Sequence, residues 1–211
     1  MQAKNAVREV FNNNAEEYQA RFMNIDMYHQ SLSLFAAQIP HDNAHILDIA
    51  CGPGNITQYL LQLRPAFSIL GIDIAPRMLA LAAANNPTAE FKEMDCGDIR
   101  SLPGSFSGIV CGFCLPYLAH NAVVKLISDA HSMLHPGGAF YLSTMVENAH
   151  NQSGLRRSSS GLYELFLHYY PEGILTDLIT HQGFTIIHTG HETYTAADGT
   201  ITTDIMIVAV K

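Results

Sequence analysis

"ILDIACGPGN", residues 46–55, joins an apolar run to a loop of small residues and sets Asp48 four positions ahead of Gly52. This pattern predicts a buried strand over 45–50, a turn whose glycines accept backbone conformations closed to other residues, and a helix from about 54. The same pattern then recurs along the chain. Further apolar runs at 67–72, 90–94, 108–114 and 138–145 alternate with helical stretches at 54–64, 76–86 and 121–134. Alternation of this kind needs crossover connections, and hence a parallel sheet covered by helices on both faces.

The flanks read differently. Over residues 4–39, Val7, Phe11, Tyr18, Phe22 and Ile25 recur at helical intervals, Asn14 and Glu17 have the spacing of a capping box, and Pro40 closes the segment. A polar, Ser-rich stretch (148–160) leads into GLYELFLHYY and a helix over about 171–181. Two β-rich runs follow, 184–194 and 200–210, joined by a turn containing Asp198-Gly199. A hairpin there ends the sheet with an antiparallel strand.

A chain of 211 residues suits one domain, and 48% hydrophobic against 14% charged residues is the profile of a compact protein. The net charge of −8 argues against broad binding to nucleic acid or anionic lipid, since an acidic surface releases no counterions from either. The N-terminal MQAKNAVREVF lacks the apolar stretch of a signal peptide, and no window approaches the roughly 18 apolar residues of a membrane span. The expected location is therefore cytoplasmic. Four cysteines, at 51, 96, 111 and 114, are few enough to read as reduced thiols. On a continuous strand Cys111 and Cys114 face opposite sides, so no metal site is expected.

The glycine loop decides what is bound. A dinucleotide site needs a third glycine where Thr57 stands, and Asp48 would repel a diphosphate. A small molecule carrying a sulfonium or ammonium group is instead drawn to Asp48, while Gly52 and Gly54 let the backbone approach it closely. At this point the sequence resembles the class I S-adenosylmethionine-dependent methyltransferases of small-molecule type. Asp48, Ala50, Gly52 and Gly54 match the acid-x-Gly/Ala-x-Gly-x-Gly motif, with Ala50 replacing the commoner first glycine. In LGIDIAPRML, Asp73 falls at a strand end, where an acid accepts ribose hydroxyls. EMDCGDIRSLPGSFSGIV resembles the third family motif, although Ser107 replaces its usual aspartate.

The resemblance implies a Rossmann-like, doubly wound, mostly parallel seven-stranded α/β sheet with a C-terminal antiparallel hairpin and an N-terminal helical lid. It divides residues 1–211 into a lid (1–40), a cofactor-binding core (41–145), a substrate-side insertion (146–170) and a C-terminal helix and hairpin (171–211). Along S-adenosyl-L-methionine, and its product S-adenosyl-L-homocysteine, it places Asp48, Ala50, Cys51, Gly52, Gly54, Asp73, Ile74 and Phe113. Met78 packs on the adenine, Asp95 accepts its amino group, and the Cys96 backbone meets a ring nitrogen. From NNNAEEYQARF, Tyr18 faces the methionyl end.

Methyl transfer needs alignment and exclusion of water more than a catalytic triad, and a general base only for a protonated acceptor. Cys114-Leu115-Pro116-Tyr117 lacks the amide or acid of a nucleic-acid amine methyltransferase, so the expected partner is a small-molecule acceptor. Tyr28, His29, Tyr117, Arg156 and Tyr170 are candidates to bind it, with His150, Arg157, Tyr163 and Tyr169 nearby in sequence. His168 is the candidate general base. A nicotinamide-dependent oxidoreductase and a non-catalytic S-adenosylmethionine-binding protein are the alternatives. Oligomeric state is not legible.

Overall fold

A computed structural model describes residues 2–157, 163–195 and 199–211. In chain order its strands are β1 (His45–Ile49), β2 (Ser68–Asp73), β3 (Glu90–Glu93), β4 (Phe106–Gly112), β5 (Leu134–Met145), β6 (Gly154–Arg157), β7 (Glu164–Leu167), β8 (Thr185–Thr195) and β9 (Ile201–Val210). Seven of them form one sheet in the order β3-β2-β1-β4-β5-β9-β8, while β6 and β7 pair separately. Strands β1 to β5 are parallel, and β9 runs antiparallel between β5 and β8. The architecture is the expected one. Residues 196–198, and with them part of the turn expected at Asp198-Gly199, lie outside the described residues, as do Ser158–Ser160.

The helices are α1 (Gln2–Asn13), α2 (Ala15–Phe22), α3 (His29–Ala37), α4 (Asn55–Leu63), α5 (Pro76–Asn85), α6 (His120–Met133) and α7 (Glu172–His181). Leu32 and Phe35 of α3 and Leu60 of α4 bury against Ile46, Val110 and Tyr141 on one face of the sheet. Val123, Leu126 and Ile127 of α6 and Leu175 of α7 bury against Leu47, Ile109, Phe140 and Ile207 on the other. Two covered faces explain why β1 and β4 read as mostly apolar runs, interrupted by Asp48 and Ser107. Each fully buried Leu, Ile or Phe contributes roughly 1.5–3 kcal/mol, so these two layers hold the sheet.

Helices α1 and α2 stand apart from both layers. Ala15 of α2 packs on Ala75 and Met78 at the start of α5, with Phe11 and Tyr18 alongside. The strand order reverses between β1 and β4, and in such sheets the crevice beyond the carboxyl ends at that point takes ligands. Both helices contribute residues to the wall of that crevice.

Two local expectations are corrected. Asn14 stands at the N-cap of α2 but makes no side-chain cap bond there; its amide turns back and donates to Val10 O at 2.6 Å, satisfying a carbonyl at the end of α1. Cys111 and Cys114 do not face apart, because β4 stops at Gly112 and Phe113 takes a left-handed conformation (φ 54°) that breaks the alternation. The thiols of Cys111 and Cys96 both meet Cys114; the Cys111 contact and burial hold the Cys114 thiol well above its ordinary value against the downward pull of Cys96. Among the described residues no group of three ligands is arranged to hold a metal ion, and no helix is long and apolar enough to cross a membrane.

Candidate active site

The turn after β1 is built from left-handed residues: Ala50 (φ 55°), Gly52 (φ 54°) and Gly54 (φ 80°). Ala50 holds this conformation at a cost of about 1–2 kcal/mol that glycine would avoid. The two glycines do different things. A Cβ on Gly54 would lie 2.4 Å from Asn86 Nδ2, whose amide donates to Gly54 O at 3.0 Å, so Gly54 lets α4 and α5 close together. A Cβ on Gly52 would meet nothing within 4 Å except Tyr18 Cε1 at 3.8 Å, so Gly52 opens its backbone to the crevice.

Three acids surround this turn. Asp73, at the end of β2, accepts from the Gly52 N–H through Oδ2 at 3.0 Å and from the Ala75 N–H through Oδ1 at 2.8 Å. Burial pushes its carboxyl up and these N–H groups pull it partly back. Each oxygen keeps a lone pair for a ligand hydroxyl. Asp95, after β3, accepts from the Gly97 N–H at 2.7 Å and pairs with Lys4 at 2.8 Å. Burial raises its carboxyl, but Lys4 and the Gly97 N–H outweigh that and hold it below the ordinary value. Asp48 lies deeper, only 1% exposed, and accepts from Thr57 Oγ1 at 2.7 Å. Burial pushes it up to about 7 against the pull of Thr57, with Asp73 adding to the rise.

These groups line one crevice with two parts. The narrow part is lined by Lys4, Tyr18, Ala50, Gly52, Asp73, Ile74, Met78, Asp95, Cys96, Phe113 and Tyr117, among others. It opens into a chamber of about 590 Å³, which Tyr18, Ala50, Gly52, Phe113 and Tyr117 also line and to which Asp48, Cys51 and Tyr28 are added. That volume suits a small-molecule ligand. Tyr18 sits over the turn, its hydroxyl pushed up to about 12 by burial and the nearby Asp73.

Most of the expected cofactor residues are thus gathered, Gly54 excepted, which lines neither part. The expected acceptor residues divide. Tyr28 and Tyr117 line the chamber, whereas His29 stacks on Tyr59 at 4.2 Å and pairs with Asp26 at 3.3 Å. Arg156 is exposed and donates to the Leu155 and Gln152 carbonyls of its own loop. Arg157 pairs with Glu164, and Tyr163 accepts from Asn13. His150 is exposed, its N–H donating to Asn148. Tyr170 is buried with its hydroxyl on Leu118 O, and Tyr169 exchanges bonds with Ser153.

His168 lines neither part of the crevice. Its ring lies beside Phe166 and Tyr170, its backbone N–H donates to Pro116 O, and burial lowers its imidazole. Among the lining residues not anticipated from sequence are Lys4 on α1 and Asp204 on β9. The signal for Asp204 was an acid inside the apolar run TITTDIMIVAV, a place where aspartate is depleted.

Residues 46–138 match the methyltransferase domain family. The demethylmenaquinone methyltransferase of Symbiobacterium thermophilum is 31% identical over 146 residues, covering 64% of this chain and 57% of that protein. The trans-aconitate 2-methyltransferase of Deinococcus radiodurans is 28% identical over 152 residues, covering 67% and 56%. The chain therefore spans a little over half the length of these relatives. Among solved structures, the Burkholderia thailandensis 1,6-didemethyltoxoflavin-N1-methyltransferase, with 1,6-didemethyltoxoflavin and S-adenosylhomocysteine bound, is alike in fold. Its TM-score is 0.73 at 17% identity, over 100% of this chain and 89% of that one. Residues 46–138 thus carry the sequence of a methyltransferase domain, and the chain as a whole takes the fold of the solved methyltransferase.

Proposed function

We propose that the protein transfers a methyl group from S-adenosylmethionine to a small-molecule acceptor. The observation that carries this reading is the convergence of Asp73, Asp95, the Gly52 turn and Tyr18 on one crevice at the carboxyl ends of β1, β2 and β4. The residues fit the donor. Asp73 has a lone pair free on each oxygen for a ribose diol, Ile74 and Met78 offer apolar surface for a purine, and Asp95 stands beyond them as an acceptor for its amino group. The exposed backbone of Gly52 and the Tyr18 ring bracket the space for the methionyl end.

When bound, S-adenosylmethionine supplies an electrophilic methyl: the acceptor's lone pair forms the new bond to carbon, the carbon–sulfur bond breaks, and its electron pair stays on sulfur as a neutral thioether. The chain's own work is alignment and exclusion of water. Helices α1 and α2, with Phe11, Tyr18 and Phe22 turned to the chamber, act as the lid. We place the protein in the cytoplasm, where its four free cysteines suit a reducing compartment. Asp48, the neighbouring Asp73 and Thr57 in place of a third glycine make the turn a poor seat for a pyrophosphate, which disfavours the nicotinamide reading.

Calorimetry with S-adenosylmethionine, S-adenosylhomocysteine and NAD tests the reading. The first two bind and NAD does not; tight NAD binding reverses it.

A further inference from the structure

The chamber runs past Gly52 to the ends of β5 and β9, and there its wall turns polar. Asp204 on β9 is fully buried, and Tyr28 donates to its Oδ2 at 2.6 Å. The other oxygen, Oδ1, is buried and has no hydrogen-bond partner among the described residues, and the same is true of the Tyr141 and Ser143 hydroxyls on β5. All four residues line the chamber. Strand register brings them together: Asp204 lies opposite Met145, so residues 141, 143 and 145 of β5 and 204 of β9 share a face, the one whose lower part α3 covers with apolar side chains. A buried carboxylate oxygen left without a donor costs more than a mean surface hydrogen bond returns, and a ligand that brings a donor recovers that loss.

We propose that Asp204, oriented by Tyr28, is the acceptor-recognition group of the chamber, and that the acceptor is an uncharged or cationic small molecule directing an N–H or O–H to Oδ1 from an apolar, aromatic-sized body. This rests on the methyltransferase reading of the crevice. The apolar body follows from the side walls, which are Phe11, Phe22, Ile25, Met27, Phe113 and Met145. The exclusion of anions follows from the charges. Of the charged lining residues, Glu17 and Arg21 are exposed and face each other at 3.9 Å, while Asp48 and Asp204 are the buried ones. A carboxylate acceptor would meet two buried acids and no buried cation on this wall.

Oδ1 also has the means to take a proton. Burial raises the Asp204 carboxyl to about 6, the Tyr28 hydroxyl pulls it down and Glu192 across the β8–β9 pair pushes it up; Tyr141 and Tyr194 face it from β5 and β8. As the acceptor atom gains its bond to carbon, its bond to hydrogen breaks, the electron pair of that bond stays on the acceptor atom, and the proton passes to Oδ1.

The test uses two probes with one aromatic body and opposite charge, phenethylamine and phenylacetate, titrated by calorimetry at pH 7.5 into protein saturated with S-adenosylhomocysteine. Wild type, Asp204→Asn and Tyr28→Phe are compared after the S-adenosylhomocysteine affinity and Tm of each are recorded. Phenethylamine is expected to bind wild type and phenylacetate at least tenfold more weakly. Asp204→Asn should weaken phenethylamine roughly tenfold or more and leave S-adenosylhomocysteine within about twofold. Tyr28→Phe, which keeps Oδ1 but loses the orienting bond, should weaken phenethylamine less than Asp204→Asn does and so separates loss of the carboxylate from loss of its orientation. Preference for phenylacetate, no phenethylamine binding at millimolar concentration, an Asp204→Asn protein that binds phenethylamine as wild type does, or a matching loss of S-adenosylhomocysteine overturns the assignment. Failure of wild type to bind S-adenosylhomocysteine at all overturns the methyltransferase reading and this assignment with it.

Discussion

The Lys4 ammonium lies 2.8 Å from Asp95 Oδ2, tying the first helix of the chain to the acid at the narrow end of the crevice. One turn on, Arg8 Nε donates to Ile74 O at 3.0 Å and its guanidinium pairs with Glu93 at 2.7 Å. These contacts fasten α1 over the seat proposed for the adenosyl group. Lys4 and Glu93 are more than half exposed, so each ion pair contributes less than about 1 kcal/mol, while the partly buried Arg8–Ile74 bond adds about 1 kcal/mol. The double variant Lys4→Ala, Arg8→Ala should release S-adenosylhomocysteine roughly tenfold faster in stopped-flow displacement. Its Tm should stay near wild type, and an unchanged release rate would show that α1 is no latch.

Asp73 accepts from two backbone N–H groups and lines the crevice. Asp73→Ala leaves both donors buried without a partner, at about 1–3 kcal/mol each. The variant should therefore lose several kcal/mol in urea denaturation and also lose measurable S-adenosylhomocysteine binding. Asp73→Asn keeps one acceptor oxygen; it should recover part of the stability and little of the binding, since a diol needs two acceptors. Equal recovery of both would mean that Asp73 acts on the turn alone.

Gly54 distinguishes a structural glycine from a binding one. Its left-handed φ of 80° and the 2.4 Å approach to Asn86 Nδ2 leave no room for a methyl group. Gly54→Ala should cost about 2–4 kcal/mol of stability, combining left-handed strain with a shift of Asn86. Protein that remains folded at low temperature should bind S-adenosylhomocysteine within a few-fold of wild type. A binding loss far larger than the stability loss would return Gly54 to the site.

The frame and one half of the site could be read along the chain because their signals are local. Parallel strands buried on both faces spell themselves as apolar runs, and the residues around Asp48, Asp73 and Asp95 each sit at the end of such a run. The acceptor side is different in kind. Asp204 matters because β9 lies beside β5, about sixty residues earlier, and a lone acid within a strand does not say which strand it will face. His168 was singled out by residue type alone, and type does not place a ring. The pair β6–β7 escaped notice because its two strands are only four residues long and neither holds a fully buried residue, so each is too short and too exposed for a period to be read. The left-handed turn at Phe113, which brings Cys114 back toward Cys111, has no glycine to announce it.

Asp48 gives the last prediction, in stability against pH. Its carboxyl stands at about 7 in the fold and at its ordinary 3.8 when unfolded, so between those values the folded state holds the extra proton. Stability from this group is then fully present below pH 3.8 and is lost as pH rises through 7. Asp48→Asn keeps an acceptor for Thr57 Oγ1 and removes the buried charge. At pH 8 the variant should be more stable than wild type by roughly 2–4 kcal/mol, and the gap should close toward pH 4. Asp204 and Asp73 are raised as well, so wild type alone would show a blend of three groups; subtracting the variant curve isolates Asp48. Urea titrations of both proteins from pH 4 to 8 measure the difference. If the gap does not widen with rising pH, Asp48 is ionised in the fold throughout and acts as a fixed negative charge beneath the turn.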